Sequence, residues 1–229
     1  MIAEPKIAQI AALIGDPSRA SILVALMGKE ALPATELASK AYISPQTASS
    51  HLSKLVAGNL LTVERHGRHR YYRLANDEVG RAIEALASLA PTPRVSESRD
   101  VVEQLKTVRY ARTCYDHLAG KVAVEIARSL EDREYLVRSG RTYEVTEVGK
   151  KWFAALGVDT DELYRTRRNF ALQCLDWSER RYHVAGALGA ALLDRMLKLN
   201  YIARARTARC IRVTLEGKKA LNRQLGLSL

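Results

Sequence analysis

Apolar residues recur at helical spacing over residues 6–14 (KIAQIAALI), and Gly15 closes that run. Asp16-Pro17 opens the next helix, with Asp as N-cap and Pro at the first helical position, where a missing N–H costs nothing. That helix sets Ile22, Leu23, Leu26 and Met27 on one face and stops at Gly28. Thr35 to Lys40 reads as a short helix and Ala41-Tyr42-Ile43 as a tight turn. Ser44 caps the following helix, Pro45 takes its first position, and Leu52, Leu55 and Val56 form its apolar stripe up to Gly58-Asn59. The pattern then changes period. Leu60 to Glu64 alternates, His66-Gly67-Arg68 turns and Arg70 to Leu74 returns, which predicts a hairpin. Asn76 or Asp77 caps one more helix, EVGRAIEALASLA.

The polar positions of this stretch give it a chemistry. Opposite the stripe, the Ser44-capped helix carries Gln46, Thr47, Ser49, Ser50 and Lys54, side chains that hydrogen-bond base edges and phosphates. The hairpin adds Arg65, His66, Arg68, His69, Arg70 and Arg73 against one acid, Glu64. An amphipathic helix beside a solvated basic hairpin would need no ligand. Two short helices, a three-residue turn and then a basic hairpin make a winged helix-turn-helix, and that order favours double-stranded DNA as partner. Gln46, Thr47 and Ser50 are the expected base readers with Arg68 and Arg70 from the wing. Lys54 is the expected phosphate contact.

The motifs Asp-Pro-x-Arg (from Asp16), Glu36-Leu37, Ser-x-x-Thr-x-Ser-x-His-Leu (Ser44 to Leu52), Arg-x-Gly-Arg (Arg65 to Arg68) and Tyr-x-Leu (Tyr72 to Leu74) come in an order that closely resembles the ArsR/SmtB family of bacterial winged-helix repressors. The resemblance covers about residues 6–90. It implies a homodimer held by the first and last helices of this part, bound to an inverted repeat and released by a signal. It also places Ser44, Ser49, His51 and Arg65 with the DNA-binding residues. The chain departs from the family where metals are often bound. TELASKA holds no cysteine, and NDEVGRAIEALASLA holds no histidine.

Beyond residue 90 the pattern repeats. A Pro- and Ser-containing stretch at 91–100 predicts a linker, and a long helix is expected from Val101 to Leu130. Two copies then follow, at residues 101–158 and 159–229. Cys-x-Asp recurs at Cys114/Asp116 and Cys174/Asp176, and His-apolar-Ala-Gly recurs at His117 to Gly120 and His183 to Gly186. Val-Thr-x-x-Gly-Lys-Lys recurs at Val145 and Val213, and the second copy has six extra residues between its Asp and its His. Each copy reads as helix, hairpin, helix, so two winged-helix-like units can pack about a pseudo-twofold axis and enclose a pocket. Similar extensions occur in a branch of the same repressor family. The expected fold class is mostly α with short β-hairpins (α+β).

The pocket candidates are Cys114, Asp116, His117, Cys174, Asp176, Trp177, Arg181 and His183. Cysteines in helices are most often small core residues, and a hydrogen-bond network is the plainer reading. Three other occupants stay open. A transition metal would take Cys114, His117, Cys174 and His183, with an Asp bonding a His from behind. An organic anion would take Arg181 with Tyr115, Trp177 and Tyr182. An oxidant would act on the cysteines.

Composition narrows the class. With 229 residues and 47% apolar content the chain can build one or two cores. No run is long enough for a membrane span and the first residues do not read as a signal peptide, so a cytoplasmic protein is expected. Three dispersed cysteines are no disulfide framework. The net charge of +11 favours polyanions, yet residues 1–90 carry 10 Lys/Arg against 8 Asp/Glu and the rest carry 26 against 17. The excess therefore lies mainly outside the DNA-reading part. An enzyme is disfavoured, because no Gly-rich phosphate loop or nucleophile elbow occurs and Cys and His recur as pairs. A sequence-indifferent architectural DNA protein is the other competitor.

Overall fold

The structure is a computed structural model that describes residues 6–28, 31–67, 69–90, 99–205 and 209–229. It divides into two compact units, residues 1–84 and 85–229. Arg68 and most of the expected linker lie outside the described residues.

The first unit runs α1 (Ile7–Ile14), α2 (Pro17–Ala25), β1 (Leu32–Pro33), α3 (Ala34–Lys40), α4 (Pro45–Ala57), β2 (Leu61–His66), β3 (His69–Leu74) and the start of α5 (Asp77–Leu89). The caps form as their residues require. Asp16 accepts from Arg19 N at 2.9 Å, Ser44 from Thr47 N at 3.1 Å and Asn76 from Val79 N at 3.1 Å. Ile22, Met27, Leu37, Ala48, Leu52 and Leu55 are fully buried, so α2, α3 and α4 share one core. The sheet order is β1-β3-β2. The two-residue β1, paired through Leu32↔Tyr72, is too short to show any period and was not expected. No residue of α1 is buried; Ile7 is 71% and Ile10 40% exposed.

The second unit runs α6 (Arg99–Tyr110), β4 (Arg112–Cys114), β5 (His117–Ala119), α7 (Lys121–Asp132), β6 (Leu136–Ser139), β7 (Thr142–Val145), α8 (Glu147–Leu156), α9 (Thr160–Tyr164), β8 (Leu172–Leu175), β9 (Tyr182–Ala185), α10 (Gly186–Lys198), β10 (Ile202–Arg204), β11 (Ile211–Val213) and α11 (Leu215–Leu225). The expected long helix from Val101 to Leu130 is corrected. It stops at Tyr110, and a tight hairpin intervenes before α7. Tyr115 takes φ 51° in the hairpin turn, and Gly120 takes φ 85° where a Cβ would lie 2.6 Å from the Arg109 carbonyl. Gly186 repeats that second device with φ 78°, 2.6 Å from the Asn169 carbonyl.

Each copy is therefore hairpin, helix, hairpin, helix. The repeated Val-Thr-x-x-Gly motif caps the second helix of each. Thr146 accepts from Gly149 N at 3.0 Å and donates to Glu134 O at 2.6 Å; Thr214 accepts from Gly217 N at 2.9 Å and donates to Asn200 O at 2.6 Å. The copies also exchange hairpins. β8–β9 of the second copy joins β6–β7 of the first through Thr142↔Leu172, making a four-stranded sheet. Reciprocally, β4 of the first meets the second at Arg112↔Cys210, with Thr113 N donating to Arg209 O at 2.8 Å. One apolar cluster, from Val122, Leu130 and Phe153 to Leu188, Ile202 and Leu221, runs through both copies. Backbone pairing and core thus knit them into one body.

Candidate functional site

The DNA-facing candidate is α4 with its wing. Ala48, Leu52 and Leu55 turn into the core at i, i+4, i+7 spacing, which leaves Gln46, Thr47, Ser49, Ser50 and Lys54 exposed with the Ser44 cap. His51 departs from the group. Its side chain is 14% exposed, and its Nδ1 lies 3.3 Å from Arg19 Nη1 and 3.9 Å from Asp16. Arg19 also donates to the carbonyls of Leu13 (2.6 Å) and Ala12 (2.8 Å). The Asp-Pro-x-Arg motif and His51 therefore tie α1, α2 and α4 together, and His51 does not face outward with the readers. In the wing, Arg65 stands directly across from Arg70 and His66 across from His69. Two arginines so placed repel each other across the hairpin, at a cost to its stability. Arg73 is not free to join them, since it pairs with Glu64 at 2.8 Å. Tyr42, in the turn before α4, is 96% exposed with φ 53°.

The second candidate lies inside the C-terminal unit. Cys114 and His117 were expected on one helix; instead they are cross-strand partners in the β4–β5 hairpin. Cys174 and His183 are cross-strand partners in β8–β9. The side chains meet despite the changed local structure, because a cross-strand pair projects to one face as an i, i+3 pair does. The two hairpins oppose each other. Cys114 Sγ lies 3.8 Å from Cys174 Sγ, and His117 Nε2 lies 3.1 Å from His183 Nε2. One ligand atom from each of the four residues falls within 4.8 Å of every other.

Both acids of the Cys-x-Asp motif sit behind the histidines. Asp116 meets His117 Nδ1 at 3.0 Å and accepts from Arg168 Nη2 at 2.5 Å. Asp176 faces His183 Nδ1 at 3.5 Å and accepts from Arg112 Nη2 at 2.9 Å and Gly120 N at 2.7 Å. Its other oxygen accepts from Ser178 N, Ser178 Oγ and Glu179 N, which shapes the six-residue insertion into a capped loop. Burial would raise both carboxyls, but His117 with Arg168, and Arg112 with Ser178, hold them well below the usual carboxylate range. Burial would likewise lower His117, but Asp116 and the Cys174 sulfur lift it to about 9. The Cys174 thiol is held far below its ordinary range by Cys114 and, against burial, by the two histidines.

Trp177 and Arg181 do not reach this cluster's ligand atoms. Trp177 stacks on Arg112, whose guanidinium carbon is 4.5 Å from the ring centroid. Arg181 is exposed and lines an open cleft of about 370 Å³ with Arg128, Arg138, Arg180 and Tyr182. The expected anion site of Arg181, Trp177, Tyr115 and Tyr182 is thus not assembled as one wall. Two residues that matter were missed. Arg112 is fully buried, and the equivalent position in the second copy is Leu172, so the repeat gave no sign of it. Arg168 lies between α9 and β8, where no period exists to place it.

An exposed polar helix, a like-charged wing and a capped helix-turn-helix core define a winged helix-turn-helix DNA-binding protein. A helix-turn-helix domain model matches residues 14–64. The chain is 48% identical over 225 residues to an uncharacterized HTH-type transcriptional regulator, YdfF, of Bacillus subtilis, covering 98% of this chain and 99% of that one. It is 34% identical over 96 residues to nodulation protein NolR of Rhizobium meliloti, covering 42% of this chain and 74% of that one. The crystal structure of NolR from Sinorhizobium fredii is similar at 29% identity and TM-score 0.35, over 41% of this chain and all of that one. The chain belongs to the HTH-type transcriptional regulators.

Proposed function

We propose that this regulator binds an inverted-repeat operator as a homodimer and represses from it until the Cys/His cluster of the C-terminal unit receives its signal. The observation that carries the DNA reading is the pairing of an outward polar α4 face with a wing whose Arg65 and Arg70 oppose each other. Neither arginine has an acidic partner among the described residues. Two-fold operators need a two-fold protein, and the exposed Ile7 and Ile10 of α1 offer an apolar surface for it. Gln46, Thr47 and Ser50 read bases, Lys54 and the wing hold phosphates, and Tyr42 adds an exposed hydroxyl beside the N-terminus of α4. The C-terminal assignment is supported by the convergence of both repeats on four reactive side chains, and by the lack of ligands at the family's usual positions.

Selection from a pool of random duplexes tests the reading. A dyad-symmetric consensus with half-sites about one helical turn apart is expected. Uniform retention of unrelated duplexes would instead favour an architectural protein.

The 3.8 Å between Cys114 and Cys174 favours one second reading, oxidant sensing. Two thiols and one peroxide would give a disulfide and two waters. Peroxide should then release DNA, a thiol reductant should restore binding, and Cys114→Ser should abolish the response. Release that persists in Cys114→Ser would reject this route.

A further inference from the structure

The cluster's geometry assigns it an occupant. We infer that Cys114, His117, Cys174 and His183 form a closed tetrahedral site for one transition-metal cation of the zinc class, and that this ion staples the two C-terminal repeats together. The inference deepens the C-terminal half of the proposed function and rests on it only for the consequence at DNA.

The distances decide between a metal site and a packed core. A zinc ion with sulfur at about 2.3 Å and nitrogen at about 2.0–2.1 Å requires tetrahedral edges of about 3.8 Å between sulfurs and about 3.3 Å between nitrogens. The chain holds its two sulfurs 3.8 Å apart and its two Nε2 atoms 3.1 Å apart. Cysteines serving as small core residues would have no reason to share a shell with two histidines at those separations.

The histidines supply a second argument. His117 turns Nδ1 to Asp116 at 3.0 Å, and Asp176 lies 3.5 Å from His183 Nδ1, a buried nitrogen with no hydrogen-bond partner among the described residues. A carboxylate behind Nδ1 orients the ring so that its Nε2 faces forward. The two Nε2 atoms then face one another across 3.1 Å, with both imidazoles buried. A cation at that point would meet both nitrogens, and the two sulfurs stand beside the same point. Carboxylate–histidine pairs of this kind orient metal ligands and raise their basicity.

The ligand set and its connectivity say what the ion does. Two sulfurs and two imidazoles in a tetrahedron suit zinc and leave no position open for substrate, so the site is not catalytic. Cys114 and His117 come from the first copy, and Cys174 and His183 from the second. Occupancy therefore adds a bond between the repeats that hydrogen bonding and core packing alone do not provide.

Cobalt(II), a spectroscopic stand-in for zinc, tests the site in the full-length protein after chelation and reduction. Titration should give one tetrahedral cobalt per chain, with intense d–d bands and a sulfur-to-cobalt charge-transfer band, and zinc should displace it. Cys210→Ser should leave the spectrum unchanged, since Cys210 is not one of the four ligands. His117→Ala with His183→Ala should lose the tetrahedral bands, with circular dichroism checking the fold. Cobalt that keeps its octahedral aqua spectrum with the wild-type chain would overturn the inference, as would charge transfer that vanishes in Cys210→Ser. Operator binding by the metal-free chain, measured in parallel, separates the two claims. Cognate-over-random discrimination without a cobalt band removes the metal site alone, and a cobalt band without discrimination removes the regulator reading alone.

Discussion

Gln46 stands on the exposed face of α4, where its amide is available to a base edge. Gln46→Ala should cost about 1–3 kcal/mol on the selected operator and relax preference at one base pair. Equal losses on operator and random DNA, measured by anisotropy, would rule out a reading role. Lys54→Ala should weaken both alike and flatten the salt slope. The two aspartates of the cluster should behave differently from each other. Asp116 is shared between His117 and Arg168, whose side chain is 35% exposed, so Asp116→Asn should keep the fold and weaken metal binding about 10–100-fold. Asp176 and Arg112 are both fully buried, so Asp176→Ala strands a guanidinium and should cost about 3–5 kcal/mol of unfolding free energy. Denaturant titration and cobalt titration of the two variants separate these outcomes. A null effect of Asp176→Ala on the denaturation midpoint would contradict the buried pair.

At the scale of elements, the legible parts of the chain were those with one wet face. The caps at Asp16 and Ser44 and the stripe of α4 follow from periodicity and terminus chemistry, and the structure has both caps as side-chain hydrogen bonds. β4 and β5 were not legible, because each is three residues long and buried at every position. A strand with no wet face has no alternation, and the helical period of Val122 to Leu130 extends backward through it without contradiction. The four-residue cluster was nonetheless found, because it depended on repetition of Cys, Asp and His rather than on the local structure. His51 shows the opposite failure. It sits on the border between the two faces of α4, and only its long-range partner Arg19 turns it inward. The exchange of hairpins between the copies carries its own consequence. A chain ending at residue 158 keeps β4–β5 and β6–β7 but loses their pairings to the second copy and that copy's share of the common core, so its C-terminal unit should not fold. Cooperative melting of residues 85–158 in that truncation, seen by hydrogen exchange, would contradict the exchange.

For the whole molecule, no single helix among the described residues is long and apolar enough to cross a membrane; only the bent pair Ile7–Ile14 with Pro17–Gly28 passes by length and composition together. The apolar face of α1 needs another cover, and the proposed one is a second copy of the chain. Ile7→Asp with Ile10→Asp should convert a dimer to a monomer in sedimentation and reduce operator affinity more than non-specific affinity. An unchanged dimer would place the interface elsewhere. The sequence-wide excess of positive charge lies in the C-terminal unit, where four arginines line one cleft. It did not mark the four-ligand cluster, whose residues are recognised by their arrangement and not by net charge.

The central claim joins the two units functionally: what occupies the Cys/His cluster sets affinity for the operator. Its most direct measurement is operator affinity of the reduced full-length chain, stripped by chelator and then reloaded with zinc, at fixed salt. The account predicts weaker binding on loading by about 5–150-fold, the range of ordinary allosteric coupling, and no change in His117→Ala with His183→Ala. The same affinity with and without zinc in the wild-type chain, at saturating occupancy of the site, would contradict it.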